Sequence, residues 1–398
     1  MTSRVVGRAR VAVAVTFAVH GAVTGSFATR IPWLQEHLQA GPGQLGLALL
    51  APAVGSLVAM PTAGRIVHRL GGRTATRLLI ALMCSALALP ALAPGLAVLW
   101  ITLFAYGAVA GMADVAMNAQ GVVIEQHLGR SIMSGLHGMW SVGGLVGGAI
   151  GVAAAQAAVD ARVHLAAAAA ALLAVSAAAG PLLLDVRAAD DEAAPARFVL
   201  PTRRVLLLGL IGFCAVFGES ASQDWCAVYL KQITGTSAGV AAASYTAFAF
   251  MMAAGRLCGD MVVRRLGPVL TVRLSGGLAA LGAVLVVVAR TPLPAIGGFM
   301  LIGLGVAVVV PLAFAAAGNA GRTPSEGVAG AATVAYTSGF AAPSAIGGIA
   351  AATSLPVSFV VVSVLMVAIL AGARALAPRP AAPHLHPAPA APRSGAGD

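Results

Sequence analysis

Stretches of about twenty apolar residues recur along the chain, separated by short polar breaks. A helix needs roughly 20 such residues to cross the hydrocarbon core of a bilayer. The pattern predicts twelve spanning helices, at 10–30, 43–64, 75–93, 95–121, 132–156, 163–184, 205–227, 238–261, 272–289, 294–318, 328–351 and 356–376. The runs are continuous and Ala-rich rather than alternating at a period of two, which excludes a transmembrane β-barrel. The first run, Val11 to Thr29, is too long for a cleaved leader. The expected organisation is an all-α membrane protein in two six-helix halves, 1–184 and 205–376. A polar linker at 185–204 containing Asp190-Asp191-Glu192 joins them, and a Pro- and Ala-rich tail at 377–398, expected to be disordered, follows.

Composition agrees with this pattern. Of 398 residues, 59% are hydrophobic and 9% charged, whereas a soluble domain carries about 25% charged residues. A cytosolic enzyme, an extracellular binding module and a disordered chain are excluded. The net charge of +11 is almost all arginine, and its placement carries the orientation. One set of loops would hold Arg30, Arg162, Lys231 and Arg290; Arg256 falls inside a span; the other nineteen of the 24 basic residues lie in the opposite loops and at both termini. Basic loops stay in the cytoplasm, so both termini are expected there. Because the arginines sit at span ends and form no single basic face, nucleic acid is not an expected partner. Cys84, Cys214, Cys226 and Cys258 show no CxxC spacing and read as buried free thiols. His384 and His386 pair in the tail, but two histidines without a third ligand do not make a metal site. No strand precedes any glycine cluster and no Walker lysine exists, so no nucleotide or other cofactor is expected.

The chain also repeats itself. At an offset of 196 residues, Arg69-Leu70-Gly71 falls on Arg265-Leu266-Gly267, Arg77-Leu78 on Arg273-Leu274, Gly107 on Gly303, Trp140 on Tyr336 and Gly143 on Gly339. One ungapped offset from the second span to the fifth is the mark of two halves of like topology.

Twelve spans, a six-plus-six repeat and cytoplasmic termini resemble the major facilitator superfamily. That family carries Gly-x-x-x-Asp-Arg-x-Gly-x-Arg after its second span. Here the segment contains Gly64, His68, Arg69, Gly71 and Arg73, with His68 in place of the Asp. The second half has Arg256, Asp260, Arg265 and Gly267, and Asp260 is expected to pair with Arg256 or Arg264 across a helix turn. In the fourth span, Asp114-Val-Ala-Met-Asn118-Ala119 is similar to the Glu-Thr-Ala-Ala-Asn-Pro segment of fucose:proton symporter-like members. The resemblance implies a proton-coupling and sugar-binding role for Asp114 and Asn118. That branch has an acid in its first span, where this chain has His20.

Ionisable groups inside a span normally face a cavity or a partner. Gly107, Gly111, Asp114 and Asn118 share one face of the fourth span. Glu219 lies near the middle of the seventh, with Ser222 and Gln223 one turn on. At the repeat offset Asp114 lands on Val310 and Glu219 on Val23, so each half carries an acid of its own. His20 shares a face with Thr16 and Thr24, and His137 starts the fifth span at a depth from which it could pair with Asp114. Arg30 with Trp33, and Asp224 with Trp225, read as interfacial anchors. Glycines at 135, 143, 144, 147, 148 and 151 allow close helix contact, and Pro52, Pro311 and Pro343 predict bends.

The expected function is secondary transport of a small polar, sugar-like solute by alternating access, coupled to protons, by a monomer in the bacterial cytoplasmic membrane. Asp114, Glu219, His20 and His137 are the proton-coupling candidates, and Asn118, Gln223 and Thr24 the solute-binding ones. Proton-driven export of drugs or metabolites is the alternative; the Gly-Pro pair of exporters is incomplete here, because Ala149 follows Gly148. The lack of metal-ligand clusters and of any Ser/His/Asp set argues against an enzyme.

Overall fold

A computed structural model describes residues 3–40, 42–185 and 201–378. The central part of the linker, with Asp190-Asp191-Glu192, and the tail, with His384 and His386, lie outside the described residues. The described chain is helical, with no strand among its elements. In order these are α1 (Ser3–Ala28), a short α2 (Ile31–His37), α3 (Pro42–Leu70), α4 (Gly72–Ala86), α5 (Leu96–Leu128), α6 (Met133–Gln156), α7 (Ala161–Ala179), α8 (Arg203–Ile233), α9 (Ala238–Val288), α10 (Pro292–Val306), α11 (Val309–Gly318), α12 (Pro324–Tyr336), α13 (Ser338–Ala352) and α14 (Leu355–Gly372).

Ten stretches among the described residues are long and apolar enough to cross a membrane. One of them, Ser244–Val288, belongs to α9 and covers two expected spans, divided at Gly267 where the backbone turns to φ 75°, ψ 164°. The α12–α13 pair supplies another crossing in two shorter pieces. Counted so, the described residues are consistent with twelve crossings. In the eleventh span α13 continues through Pro343, and the interruption between the two pieces lies at Thr337. In the tenth span the helix breaks between α10 and α11, just before Pro311. A proline lacks the N–H that would bond back to the preceding turn.

The repeat is visible in the backbone. Gly71 ends α3 at φ 78°, and its counterpart Gly267 bends α9 at φ 75°. A side chain is strained in that region, so glycine is needed at both turns. Gly107 of α5 lies against the backbone of Pro52 in α3, and Gly303 of α10 lies against that of Phe248 in α9. Both members of the second pair stand 196 residues beyond those of the first. Gly143 of α6 meets the carbonyl of Ala18 in α1, leaving no room for a Cβ, so α1 and α6 pack backbone to backbone.

At the end of the bundle that holds the α3–α4, α5–α6 and α11–α12 turns, the halves lock together. Gln126 Nε2 donates to Asn319 Oδ1 at 2.7 Å. Asp260 of α9 accepts from Ser131 Oγ at 2.9 Å and from the backbone N–H groups of Ser134 and Gly135 at 3.1 and 2.8 Å. It pairs with neither Arg256 nor Arg264, contrary to the expectation from helix spacing. The N-terminus of α6 offers unpaired N–H groups and a favourable dipole, which draw the carboxylate across the interface.

Candidate functional site

Halfway along the bundle, α1, α3, α5, α6, α8, α9, α11 and α12 surround a cavity of about 290 Å³. Its walls include Phe17, His20, Asp114, His137, Trp140, Glu219, Gln223, Arg256, Val310 and Tyr336. Four repeat pairs meet here, Trp140 with Tyr336, Asp114 with Val310, Met60 with Arg256, and His20 with Val216. One framework thus brings equivalent positions of both halves to one place, and each half has filled them differently.

Asp114 is 8% exposed and Asn118 fully buried. Asn118 Nδ2 donates to Asp114 Oδ1 at 3.1 Å and to the Asp114 carbonyl one turn back at 2.9 Å. Tyr336 Oη, from the other half, donates to Asp114 Oδ2 at 3.2 Å. His137 Nε2 lies 3.1 Å from Asn118 Oδ1. That oxygen can only accept, so this nitrogen carries the proton. The direct Asp114–His137 pair expected from depth is therefore absent; Asn118 stands between them. Phe17 and Phe314 flank the His137 ring, at centroid distances of 5.3 and 6.2 Å.

His20 belongs to a second string. Trp140 Nε1 donates to its Nδ1 at 2.9 Å, and its Nε2 faces the Ala110 carbonyl at 3.3 Å. Since Nδ1 accepts, the neutral ring carries its proton on Nε2. Thr24, a solute-binding candidate, instead donates to the His20 carbonyl of its own helix and is not among the cavity-lining residues.

Arg256 is the residue whose place the sequence reading missed. It is 6% exposed and belongs to the cavity, not to the loop motif with which it was grouped. Its Nη2 lies 3.2 Å from both Glu219 carboxylate oxygens, and Nη1 donates to Ser141 Oγ of α6 at 3.0 Å. The guanidinium carbon stands 5.9 Å from the centre of the Trp140 ring. Gln223 Nε2 donates to Glu219 Oε1 at 3.1 Å. Gln223 and Asp224 are exposed, on the side of Glu219 away from the locked end. An arginine inside an apolar run, and an aromatic retained at both repeat positions 140 and 336, were the signals that could have found these groups.

The remaining motif residues lie away from the cavity. Arg73 Nε donates to the Leu183 carbonyl at 2.7 Å, Arg69 and Arg265 are exposed, and Gly64 packs near the Glu326 backbone. Arg30 is not an interfacial anchor. It is buried at 3% exposure, and its Nε donates to His164 Nδ1 at 3.0 Å. Among the described residues no group of His, Cys, Asp and Glu is arranged to hold a metal ion.

The family model of the Major Facilitator Superfamily matches residues 13–348. The chain belongs to that superfamily. An uncharacterized MFS-type transporter of Yersinia pestis is 35% identical over 369 residues, covering 92% of this chain and 95% of that protein. An uncharacterized transporter of Sinorhizobium fredii is 34% identical, covering 90% and 96%. The fold is similar to that of FucP in its outward conformation, with a TM-score of 0.76 at 16% identity over 93% of this chain and 99% of that one. FucP is named as the fucose:proton symporter of E. coli. This superfamily member is thus a multi-pass membrane protein and a secondary transporter, not an enzyme. In transporters built from two such halves, substrate sites lie near the midplane where the repeats meet.

Proposed function

We propose that this transporter carries a small, uncharged polar solute of the sugar class, coupled to protons, by rocking of its halves about the central cavity. The observation that carries the reading is the pair of acids, each tied to a group whose bonds cross the interface. Asp114 accepts from Tyr336 of the opposite half, and Glu219 holds Arg256, which itself bonds Ser141 of the opposite half. Rocking must break these hydrogen bonds, so protonation and solute binding act on the contacts that resist the motion. Asp114 is the proton carrier, and His137 acts on it through Asn118. His20 supports the Trp140 ring.

The solute class follows from charge and size. Glu219 neutralises Arg256, leaving an aromatic face on Trp140 and hydrogen-bonding groups on Gln223, Glu219 and Asp114; Asn118 is fully buried and acts behind Asp114 rather than on the solute. That mixture suits hydroxyl groups on a compact ring. A volume of about 290 Å³ lies just under the usual size of ligand pockets, about 300 to 1,000 Å³, which favours a small solute. The likeness to FucP supports the same class. The nineteen-to-four placement of basic residues supports termini in the cytoplasm of a bacterial inner membrane, and the locked end then faces inward. Nothing in the reading requires more than one copy of the chain.

Proteoliposomes with an imposed pH gradient, offered a panel of labelled monosaccharides and polyols, test it. Uptake driven by the gradient in the wild type and lost in Asp114→Asn, with unchanged thermal unfolding, is the expected result. Gradient-driven uptake that survives in Asp114→Asn would remove Asp114 as the proton carrier. Counterflow in oriented vesicles separates import from export.

A further inference from the structure

Two grooves lie on the bundle away from the central cavity. The larger, about 710 Å³, follows the second arm of α9 and is bordered by Arg273, Leu274, Gly277, Leu281 and Leu370. The smaller, about 380 Å³, lies between α4 and α7 and is bordered by Arg77, Leu78, Ala81 and Leu173. They are related by the internal repeat. Arg77-Leu78 and Ala81, moved by 196 residues, fall on Arg273-Leu274 and Gly277. Each arginine stands six residues beyond its left-handed glycine, Gly71 or Gly267. At about 1.5 Å per residue both lie roughly 9 Å into the helix from that turn.

These grooves are on the surface that meets lipid. Leu78, Leu274 and Leu281 are exposed at 45%, 55% and 59%. Neither Arg77 nor Arg273 has a hydrogen-bond or ion-pair partner among the described residues. A cationic side chain at this depth is costly unless something answers its charge, and basic pockets between spanning helices take anionic headgroups. Small residues keep the larger groove open: a Cβ added at Gly277 would meet only the tip of Leu370, at 4.0 Å. From Arg273 to Leu281 the wall runs about 12 Å, most of one leaflet's share of a core about 30 Å thick.

We propose that the groove along α9 binds one anionic phospholipid, its phosphate on Arg273 and an acyl chain against Leu274, Gly277 and Leu281. The α4–α7 groove is its repeat-related counterpart. The larger groove is also bordered by Gly255, Cys258 and Gly259. That stretch of α9 carries Arg256 of the cavity and Asp260 of the contact with α6. A lipid seated there braces the helix that links solute site and locked end.

Cys258 is an exposed thiol on the groove wall, whereas Cys84 and Cys226 are buried and Cys214 half-buried. The protein is placed in nanodiscs of phosphatidylcholine alone or with phosphatidylglycerol. Cys258 alkylation by a membrane-permeable maleimide is then followed by peptide mass spectrometry. Phosphatidylglycerol should slow labelling at least three-fold in the wild type. The slowing should vanish in Arg273→Gln and in Gly277→Phe, which fills the groove, and persist in Arg77→Gln. Equal rates in both lipids, or a slowing that persists in Arg273→Gln and Gly277→Phe, overturns the proposal. So does equal protection by inorganic phosphate in phosphatidylcholine discs, which would assign a free anion. A bis-maleimide link between two Cys258 residues would assign a second copy of the chain and also overturn it.

Discussion

Arg256 decides the character of the candidate site. A guanidinium between apolar helices is tolerated because Glu219 takes its charge, Ser141 takes a hydrogen bond and Trp140 lies within reach of its face. With side chains 8% and 18% exposed, the pair is shielded from most solvent. Removing one member leaves the other charge unanswered, at a cost of about 3 kcal/mol. Arg256→Gln should therefore lower the unfolding temperature of the purified protein. Arg256→Gln combined with Glu219→Gln should recover part of the loss, because no lone charge remains. Strictly additive losses in the double variant would show that the pair is not coupled. Asp114 differs in having no cationic partner; Tyr336 and Asn118 hold it with neutral donors. That leaves it able to gain or lose a proton without breaking an ion pair.

Among the elements, α9 carries the most. Its 51 residues form two arms about Gly267, and its first arm presents Arg256 to the cavity and Asp260 to α6. The turn uses a backbone conformation almost confined to glycine. Gly267→Ala should cost about 1–3 kcal/mol. Gly297→Ala in α10, where an added Cβ meets nothing within 4 Å, should stabilise by about 0.5–1 kcal/mol. Thermal unfolding of the two variants checks the contrast, and equal effects would show that the turn is not strained by a side chain. The α12–α13 break at Thr337 belongs to the same scale: it follows Tyr336 directly, so the hydroxyl that reaches Asp114 stands at a helix end.

For the whole molecule the question is what holds the halves closed at one end. Asp260 makes three hydrogen bonds across that interface, two of them to the N-terminal turn of α6. In the first half His68 stands where the family motif has its acid, and Gly64 occupies the repeat position of Asp260. The locking is therefore asymmetric. Asp260→Asn keeps the shape but removes the charge that complements the helix dipole. Spin labels at Arg130→Cys and Arg322→Cys, in a background without the four native cysteines, report the separation of this end. The distance distribution should gain a longer component in Asp260→Asn. An unchanged distribution would remove Asp260 from the lock.

The span pattern, the repeat and the loop motif that holds Gly71 and Gly267 were legible in the chain, because each depends on local spacing and on solvation by lipid. Asp114 and Glu219 stood out for the same reason: a carboxyl in an apolar run is conspicuous by its cost. Which residues touch was not legible. Arg256 and Asp260 stand one turn apart on α9, yet one turns to Glu219 and the other to α6. The Asn118 bridge between Asp114 and His137, and the meeting of Trp140 and Tyr336 in one cavity, depend on how α5, α6, α8, α9 and α12 pack. Periodicity along a chain determines which face of a helix is apolar or polar; only the tertiary structure decides which other helix that face meets, because contacts between helices depend on distances that the sequence order does not contain.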